Sequence, residues 1–247
     1  MTTRTIHWYK HASPPNLYRL AGQLVPWFAV PSGILFIVGL YLGLFVAPTD
    51  FQQGDAYRVL FVHVPAAWMG MLLYVVLAFY AAVGWIFNAR VSGMMASSLS
   101  ITGAMFTCLS LVTGSLWGRP TWGTWWVWDA RTTSTLILLF LYLGFISLQS
   151  AIDDSRRADR AGAVVAMVGI VNVPIIYFSV QWWNTLHQGA TLRIAKETSM
   201  AGSMLAPLLT MIAACWLYSI AIVLLRLRCL IREREPMAAL ALAEVTK

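Results

Sequence analysis

Two histidines and a row of tryptophans carry the side chains of this sequence that are best suited to hold a ligand. Residues 122 to 129 are WGTWWVWD, and Trp117 brings the indole rings to five within twelve residues. His63 stands in FVHVPAAW and His187 in QWWNTLHQG. Imidazole nitrogens ligate metals, whereas a row of indoles can anchor a protein at a membrane interface, pack in a core or form a wall for a flat ligand. The rest of the chain has to decide among these roles.

The composition indicates a membrane protein. Of 247 residues, 59% are hydrophobic and 11% are charged, whereas a soluble domain carries about 25% charged residues. Six runs lack Asp, Glu, Lys and Arg, and each approaches the ~20 residues that a helix needs to cross a bilayer. They cover about 24–47, 64–87, 94–116, 132–152, 161–180 and 204–225. We therefore predict a single all-α integral membrane domain over 1–247 with six transmembrane helices, the first being a retained span and not a signal peptide.

The basic residues predict the orientation. If both termini are cytoplasmic, the inner segments, including the tail 226–247, hold twelve Lys and Arg, and the outer loops hold five, as the positive-inside rule requires. The net charge of +7 then reflects this asymmetry and an affinity for anionic lipid, with no case for nucleic acid. The outer, periplasmic loops are about 48–63, 117–131 and 181–203.

This topology brings the two outer histidines and the tryptophan row to one membrane face. Pro65 suits a first helical position, so His63 is expected at the mouth of the second helix. His187 follows the fifth helix, beside Trp182 and Trp183. Two imidazoles on opposite sides of a flat apolar macrocycle are what a six-coordinate haem iron requires. The loop between them would supply the walls.

Each of these residues also has a structural interpretation. Tryptophans are enriched at membrane interfaces, although one short loop does not need five anchors. A histidine at an interface is often a hydrogen-bonding loop residue. Asp129 fits the N-cap of the fourth helix, and capping is compatible with ligand binding. These alternatives stay open at the level of sequence.

The outer cations are candidates for pairing with haem propionates, since Arg matches carboxylates in a planar fork. They are Arg58, Arg119, Arg131, Arg193 and Lys196. Solvation or lipid contact is the alternative for each, and Arg131 could simply pair with Asp129. The sequence has no CxxCH motif for covalent haem and no Walker A motif, so we expect any ATP hydrolysis to be performed by another chain.

The sequence resembles a known family in these same places. Trp122, Gly123, Trp126, Trp128 and Asp129 match the WGxxWxWD signature (WWD motif) of the haem-handling proteins of cytochrome c biogenesis. The stretches HVPAAW at 63–68, VTGSLWG at 112–118, WVWDARTTS at 126–134 and WWNTLHQG at 182–189 are similar to the haem exporter C (CcmC) family of the bacterial cytochrome c maturation system. The resemblance covers nearly the whole chain.

The resemblance implies a haem-transfer protein of the bacterial inner membrane and not an enzyme. Haem b, held non-covalently and transiently, would have His63 and His187 as axial ligands. Its platform would be Trp122, Gly123, Trp126, Trp128 and Asp129, joined by Trp117, Trp182 and Trp183. Trp125 falls at a variable position of the signature, and we expect it to be ordinary interface.

The resemblance also implies partners. Haem would pass to a membrane-tethered periplasmic chaperone (CcmE-like), beside an ABC ATPase with its membrane subunit (CcmA- and CcmB-like) and a small single-span subunit (CcmD-like). The alternative is a permease or structural subunit of an ABC-type complex, whose tryptophan loop docks a partner without binding haem.

Overall fold

The structure, a computed structural model, describes residues 13–187 and 200–236. Its helices are α1 (Pro14–Tyr41), α2 (Leu60–Ile86), α3 (Arg90–Trp122), α4 (Ala130–Ala151), α5 (Ser155–Gly169), α6 (Asn172–Trp182) and α7 (Gly202–Arg234). A π-helical turn, Leu42–Val46, extends α1, and a 3-10 turn, Asp55–Val59, leads into α2. The described residues contain no β-strand. Six helical segments are long and apolar enough to cross a membrane, which confirms the predicted all-α, six-span fold.

The fifth span is broken into α5 and α6. Pro174 has no backbone N–H, so it cannot donate to the carbonyl of Ile170 one turn before it. Instead the N–H of Val173 donates to that carbonyl at 3.1 Å, in a tighter turn. The buried side chain of Asn172 donates from Nδ2 to the carbonyl of Ser134 at 2.8 Å. This bond ties the start of α6 to α4, where an unpaired amide would be costly.

Helix α3 lies at the centre and packs along α2. A methyl group added at Gly70 of α2 would come 2.7 Å from Oγ1 of Thr107, so the two backbones approach closely because this position has no side chain. The hydroxyls of Ser98 and Thr107 donate to carbonyls of their own helix, each at 2.8 Å. Polar side chains can therefore pack inside the bundle without water, and the close pairing fixes α2 against α3.

The first helix packs mainly on α7. Methyl groups at Gly39 and Gly43 would lie 2.7 Å from Met211 and 2.7 Å from Phe61, respectively. Both glycines therefore serve contacts within this chain. Arg58 donates from Nη1 to the carbonyl of Gly43 at 2.8 Å, which ties the π-helical end of α1 to the turn that enters α2.

The chain order places two sets of helix ends at opposite ends of the bundle. The starts of α2 and α4 and the ends of α3 and α6 share one end. The turns 87–89 and 152–154, which join α2 to α3 and α4 to α5, lie at the other. His63, the tryptophan row and His187 all belong to the first end.

Candidate functional site

His63 lies within the first turns of α2 and is held by α3. Its Nδ1 is 3.0 Å from the carbonyl oxygen of Ser110 and 3.1 Å from Oγ1 of Thr113. A carbonyl oxygen only accepts hydrogen bonds, so Nδ1 carries the proton and the lone pair of Nε2 is left for a ligand. A methyl group at Gly114 would come 3.0 Å from Cε1 of the ring. Glycine therefore makes room for the imidazole.

The expected role of Pro65 as a first helical residue is wrong. Helix α2 begins at Leu60, because the 3-10 turn Asp55–Val59 already sets the helical direction. Pro65 thus lies inside the helix, and His63 lies within the helix and not before it. Its position is fixed by helical backbone and by α3.

His187 lies in the loop after α6 and faces the start of α4. Its backbone N–H donates to Oγ1 of Thr185 at 3.1 Å, and its ring lies 5.1 Å from that of Trp122. Its Nδ1 is 3.7 Å from Oδ2 of Asp129, which is longer than a hydrogen bond. The other oxygen, Oδ1, accepts from the N–H of Thr132 at 2.7 Å. Asp129 is therefore the N-cap of α4, as the sequence suggested, and it faces the histidine as well.

The two imidazole rings face each other across a narrow gap. Their centroids are 6.4 Å apart, with 37° between the planes. A metal lies about 2 Å from an imidazole nitrogen, so two rings that share one metal ion have centroids roughly 6 Å apart. Among the described residues, no group of three or more His, Cys, Asp or Glu side chains could hold a metal. The pair thus suits a metal whose other ligands come with it, as in a macrocycle.

A cavity of about 670 Å³ opens beside this pair. Its mouth is lined by His63, Trp122, Trp125, Trp126, Arg131 and His187, and its deeper part by Gly70, Met71, Thr107, Leu138 and Ile176. This volume includes space that is open to solvent, so the site is an open cleft. The charged and titratable groups lie at the mouth and the deeper lining is mostly apolar, which suits an amphipathic ligand.

The structure divides the tryptophan row. Helix α3 runs on to Trp122 and ends at Gly123, whose φ of +79° is left-handed and favours glycine. Trp122 and Trp126 line the cavity, whereas Trp128 is 75% exposed and packs edge-on against Trp126 at 5.4 Å. Some indole rings of the row therefore line the cavity, and the ring of Trp128 lies exposed at the surface.

The expectation that Trp125 is ordinary interface agrees with its 55% exposed side chain, but it leaves out a contact with the cavity. Its side chain lines the cavity, its carbonyl accepts from Oγ of Ser115 at 2.8 Å, and the Arg119 guanidinium lies 6.0 Å from its ring centroid. The motif position alone does not reveal this contact, because it depends on tertiary structure.

The remaining predicted tryptophans lie around the mouth. Trp117 packs edge-on against His63 at 5.7 Å and donates from Nε1 to Oε1 of Gln53 at 2.8 Å. Trp182 and Trp183 are half exposed and contact each other at 5.8 Å. Neither of these two lines the cavity. Trp117 thus supports His63, and the other two belong to the rim.

The predicted outer cations also differ in whether they line the cavity. Arg58 pairs with Asp55 at 2.9 Å and with the backbone of α1, and Arg119 donates to the carbonyl of Gly123. Arg131 lines the cavity, and its guanidinium donates no hydrogen bond within the described part of the chain. Arg193 and Lys196 lie outside the described residues. Arg131 is therefore the described outer cation best placed to meet a ligand.

Three buried polar atoms at this site have no hydrogen-bond partner within the described chain: Nε1 of Trp126, Oδ2 of Asp129 and Nδ1 of His187. Burial raises the pKa of Asp129, but the neighbouring His187 imidazole and the Thr132 bonds outweigh it and lower the pKa to about 2. Asp129 is thus a carboxylate at neutral pH and can only accept. Such groups cost free energy when they are unpaired. A ligand that forms hydrogen bonds with them would therefore be stabilised at this site.

The sequence predictions missed Ser110, Thr113 and Gly114. All three lie on α3 within two turns of the row, and the last two fall inside the stretch VTGSLWG. Their relation to His63 depends on the pairing of α2 with α3, so only that motif could have pointed to them.

Known proteins resemble this chain over most of its length. Residues 7–241 match the family model described as heme exporter protein C, CcmC. Heme exporter protein C of Escherichia coli is 45% identical over 232 residues, which cover 94% of this chain and 93% of the relative. The proteins of the same name from Haemophilus influenzae and Bradyrhizobium diazoefficiens are 44% and 45% identical, over 81% and 82% of this chain and 82% and 77% of their own lengths. The chain belongs to the heme exporter protein C family.

Proposed function

We propose that this membrane protein binds haem non-covalently between His63 and His187 and passes it to a partner protein during cytochrome c maturation. The observation that carries the proposal is the facing pair of imidazoles, 6.4 Å apart, at the mouth of a large cavity. The family name, heme exporter protein C, agrees with a haem-handling role. Haem is the cargo, and its iron accepts two axial nitrogen ligands.

The two histidines are held with unequal strength. The Nδ1–H of His63 is bound by Ser110 and Thr113 on a long helix, and such bonds orient a ligand and raise its basicity. His187 lies on a loop, and within the described chain the nearest polar partner of its Nδ1 is Oδ2 of Asp129 at 3.7 Å. A small shift would let its Nδ1–H bond to Oδ2. We expect His63 to be the permanent ligand and His187 the one that releases haem for transfer.

The walls of the cavity supply the remaining contacts. Trp122, Trp125 and Trp126 offer aromatic surface to a flat macrocycle. Its apolar edge would reach toward Leu138 and Ile176, both almost fully buried. A propionate would meet Arg131, whose guanidinium lines the cavity without a hydrogen-bond partner in the described chain.

The exposed aromatic rim fits the step of transfer. Trp128, Trp182 and Trp183 lie at the same end of the bundle as the cavity and are half or more exposed. A membrane-tethered chaperone could contact this rim while it takes haem from the His187 side. The site would face the periplasm from the bacterial inner membrane, and the ATPase, membrane and single-span subunits would be other chains of the assembly. Covalent attachment to the chaperone would use the chaperone's own histidine.

The test of the axial assignment is the absorption spectrum of the purified protein. With haem bound, we expect a Soret band and the low-spin spectrum of bis-imidazole iron. The double variant His63→Ala/His187→Ala should lose it, and His187→Ala alone should retain more haem than His63→Ala. His11→Ala, a histidine in the segment before the first helix, serves as the control. An unchanged spectrum in the double variant would remove the assignment.

A second experiment separates haem transfer from haem binding and from the alternative of a docking subunit. Trp128→Ala should keep haem but load the chaperone more slowly than wild type. Trp27→Ala removes an equally exposed tryptophan, 76% against 75%, on the distant face of α1 and is the control. If wild-type protein bound no haem and the rim variant still weakened partner binding, the docking alternative would replace the proposal.

A further inference from the structure

A second pocket lies at the opposite end of the bundle from the histidines. It is an open pocket of about 440 Å³, including space open to solvent, between the end of α2, the turn 87–89, the start of α3, and α5. Its floor is apolar, with Ala81, Ala96 and Phe145 almost completely buried. Its rim carries Arg90, Arg156 and Arg160. An apolar floor beneath a cationic rim differs from the aromatic histidine site.

The shape of this pocket depends on two glycines. A methyl group at Gly84 would come 3.1 Å from the backbone nitrogen of Gly93, and one at Gly93 would collide with the Asp159 carboxylate. These residues let α2, α3 and α5 meet closely at their ends. The pocket is the space left beside that contact.

Three arginines and one acid are among the residues that line the pocket. Asp159, the acid that lines the pocket, accepts two bonds from Arg234 at 3.0 and 3.1 Å. Arg90 pairs with Glu235 at 2.5 Å. Arg156 and Arg160 stand one helical turn apart on α5, and neither makes an ion pair within the described chain. Two cations are therefore left to bind an anion from outside.

The position of the pocket indicates which kind of anion it binds. The pocket lies where α2 ends and α3 begins, at the level of a membrane surface if these helices span the bilayer. Trp85, which is 47% exposed, also lines it, and tryptophan is enriched at that level. We propose that this pocket binds an anionic phospholipid, with the phosphate between Arg156 and Arg160 and the start of an acyl chain on the apolar floor. Basic pockets between transmembrane helices bind lipid headgroups of this kind.

The proposal does not depend on haem binding and is tested separately. Full-length protein in detergent is mixed with phosphatidylglycerol or with phosphatidylcholine, and bound lipid is counted by native mass spectrometry. Wild type should retain phosphatidylglycerol in preference to phosphatidylcholine. Because a basic residue near a membrane surface contributes about fivefold to anionic lipid binding, Arg156→Gln/Arg160→Gln should weaken retention by about 25-fold.

Arg157→Gln is the matched control, since it removes the same charge from the same helix at a position that does not line the pocket. If the control and the double variant lost phosphatidylglycerol equally, the proposed site would be wrong. Equal retention of both lipids by wild type would also contradict it. If millimolar inorganic phosphate displaced the bound lipid, the pocket would be a site for free phosphate, and the proposal of a phospholipid ligand would be wrong. Displacement by an acidic peptide and not by phosphate would favour a partner protein and also overturn it.

A second measurement leaves both arginines of the pocket in place. Phosphatidylglycerol with brominated acyl chains should quench Trp85, seen as the difference in fluorescence between wild type and Trp85→Phe. Brominated phosphatidylcholine should quench it much less at the same concentration. Equal quenching by both lipids would show general bilayer contact and contradict the proposal.

Discussion

The two ends of the helix bundle use polar side chains in opposite ways. Around Asp159, Arg234 also donates to Gln149 at 3.0 Å, and Gln149 in turn donates to the carbonyl of Ala158 at 3.0 Å. Around His187, buried atoms of Trp126, Asp129 and His187 have no hydrogen-bond partner within the described chain. One cluster is satisfied from within, and the other lacks partners.

The difference indicates what each cluster does. The Asp159 cluster joins α4, α5 and α7, so its free energy goes into holding helices together. The His187 cluster leaves donors and an acceptor in a buried place, where they cost free energy until a ligand or a small rearrangement satisfies them. A satisfied network should matter to stability, and an unsatisfied one should matter to binding.

The largest effect is expected on stability, from Asp159→Ala. It leaves Arg234 partly buried without its acid, and breaking such a pair costs about 2–3 kcal/mol, less than a fully buried pair because both side chains are partly exposed. The thermal unfolding midpoint in detergent should fall while the haem spectrum is unchanged. Asp153→Ala, an exposed acid two residues before the start of α5, is the control. If Asp159→Ala lost the Soret band but kept normal stability, the Asp159 cluster would serve haem binding and not stability.

The next effect separates two N-cap aspartates at the two ends. Asp129 and Asp154 each accept a backbone N–H at 2.7 Å. Asp129→Asn keeps a good cap but removes the charge that faces His187, so haem affinity should fall about 10–100-fold with little change in stability. Asp154→Asn should change neither. Haem titration followed at the Soret band measures this, and equal affinities for the two variants would contradict the role of Asp129.

Arg131→Gln should weaken haem binding by about tenfold, the value of one charge-assisted hydrogen bond. Haem dimethyl ester, which has no propionate charge, should bind wild type and variant equally well. Arg119→Gln, whose cation is bonded to Gly123, is the control. If the ester discriminated between wild type and variant as strongly as haem does, Arg131 would act through structure and not through the propionate.

The smallest effect compares two neighbours in the row. Trp125→Ala removes a ring that lines the cavity and should weaken haem binding by about fivefold, since an aromatic contact contributes about 1 kcal/mol. Trp128→Ala should change the affinity less than twofold, because its ring points away from the cavity. The same Soret titration measures both. If Trp128→Ala weakened haem binding more than Trp125→Ala, the assignment from the sequence motif would be right and the assignment from the cavity lining would be wrong.

Much of the fold could be predicted because it depends on local composition. Runs of about 20 apolar residues have few stable alternatives to membrane-spanning helices, and the number of spans followed from counting them. The break between α5 and α6 was not predicted, although Pro174 marks its place. Proline lowers the stability of a helix, and its neighbours decide whether the helix kinks or breaks.

The site was predicted in part. That His63, the row and His187 meet follows from the order of spans, which brings the three loops to one face. The relation of His63 to Ser110 depends on how α2 packs on α3, since the two residues are 47 positions apart. Whether Trp125 or Trp128 faces the cavity depends on backbone angles after Gly123, which no spacing rule supplies.

The sequence by itself determined that this chain is a six-span helical membrane protein, and its motifs placed it in its family. Those properties depend on local hydrophobicity and on residues matched in order. The tertiary structure decided which rings line the cavity, which of the described cations lines it and how firmly each histidine is held. These depend on distances between helices, and close packing sets such distances only when the whole bundle is assembled.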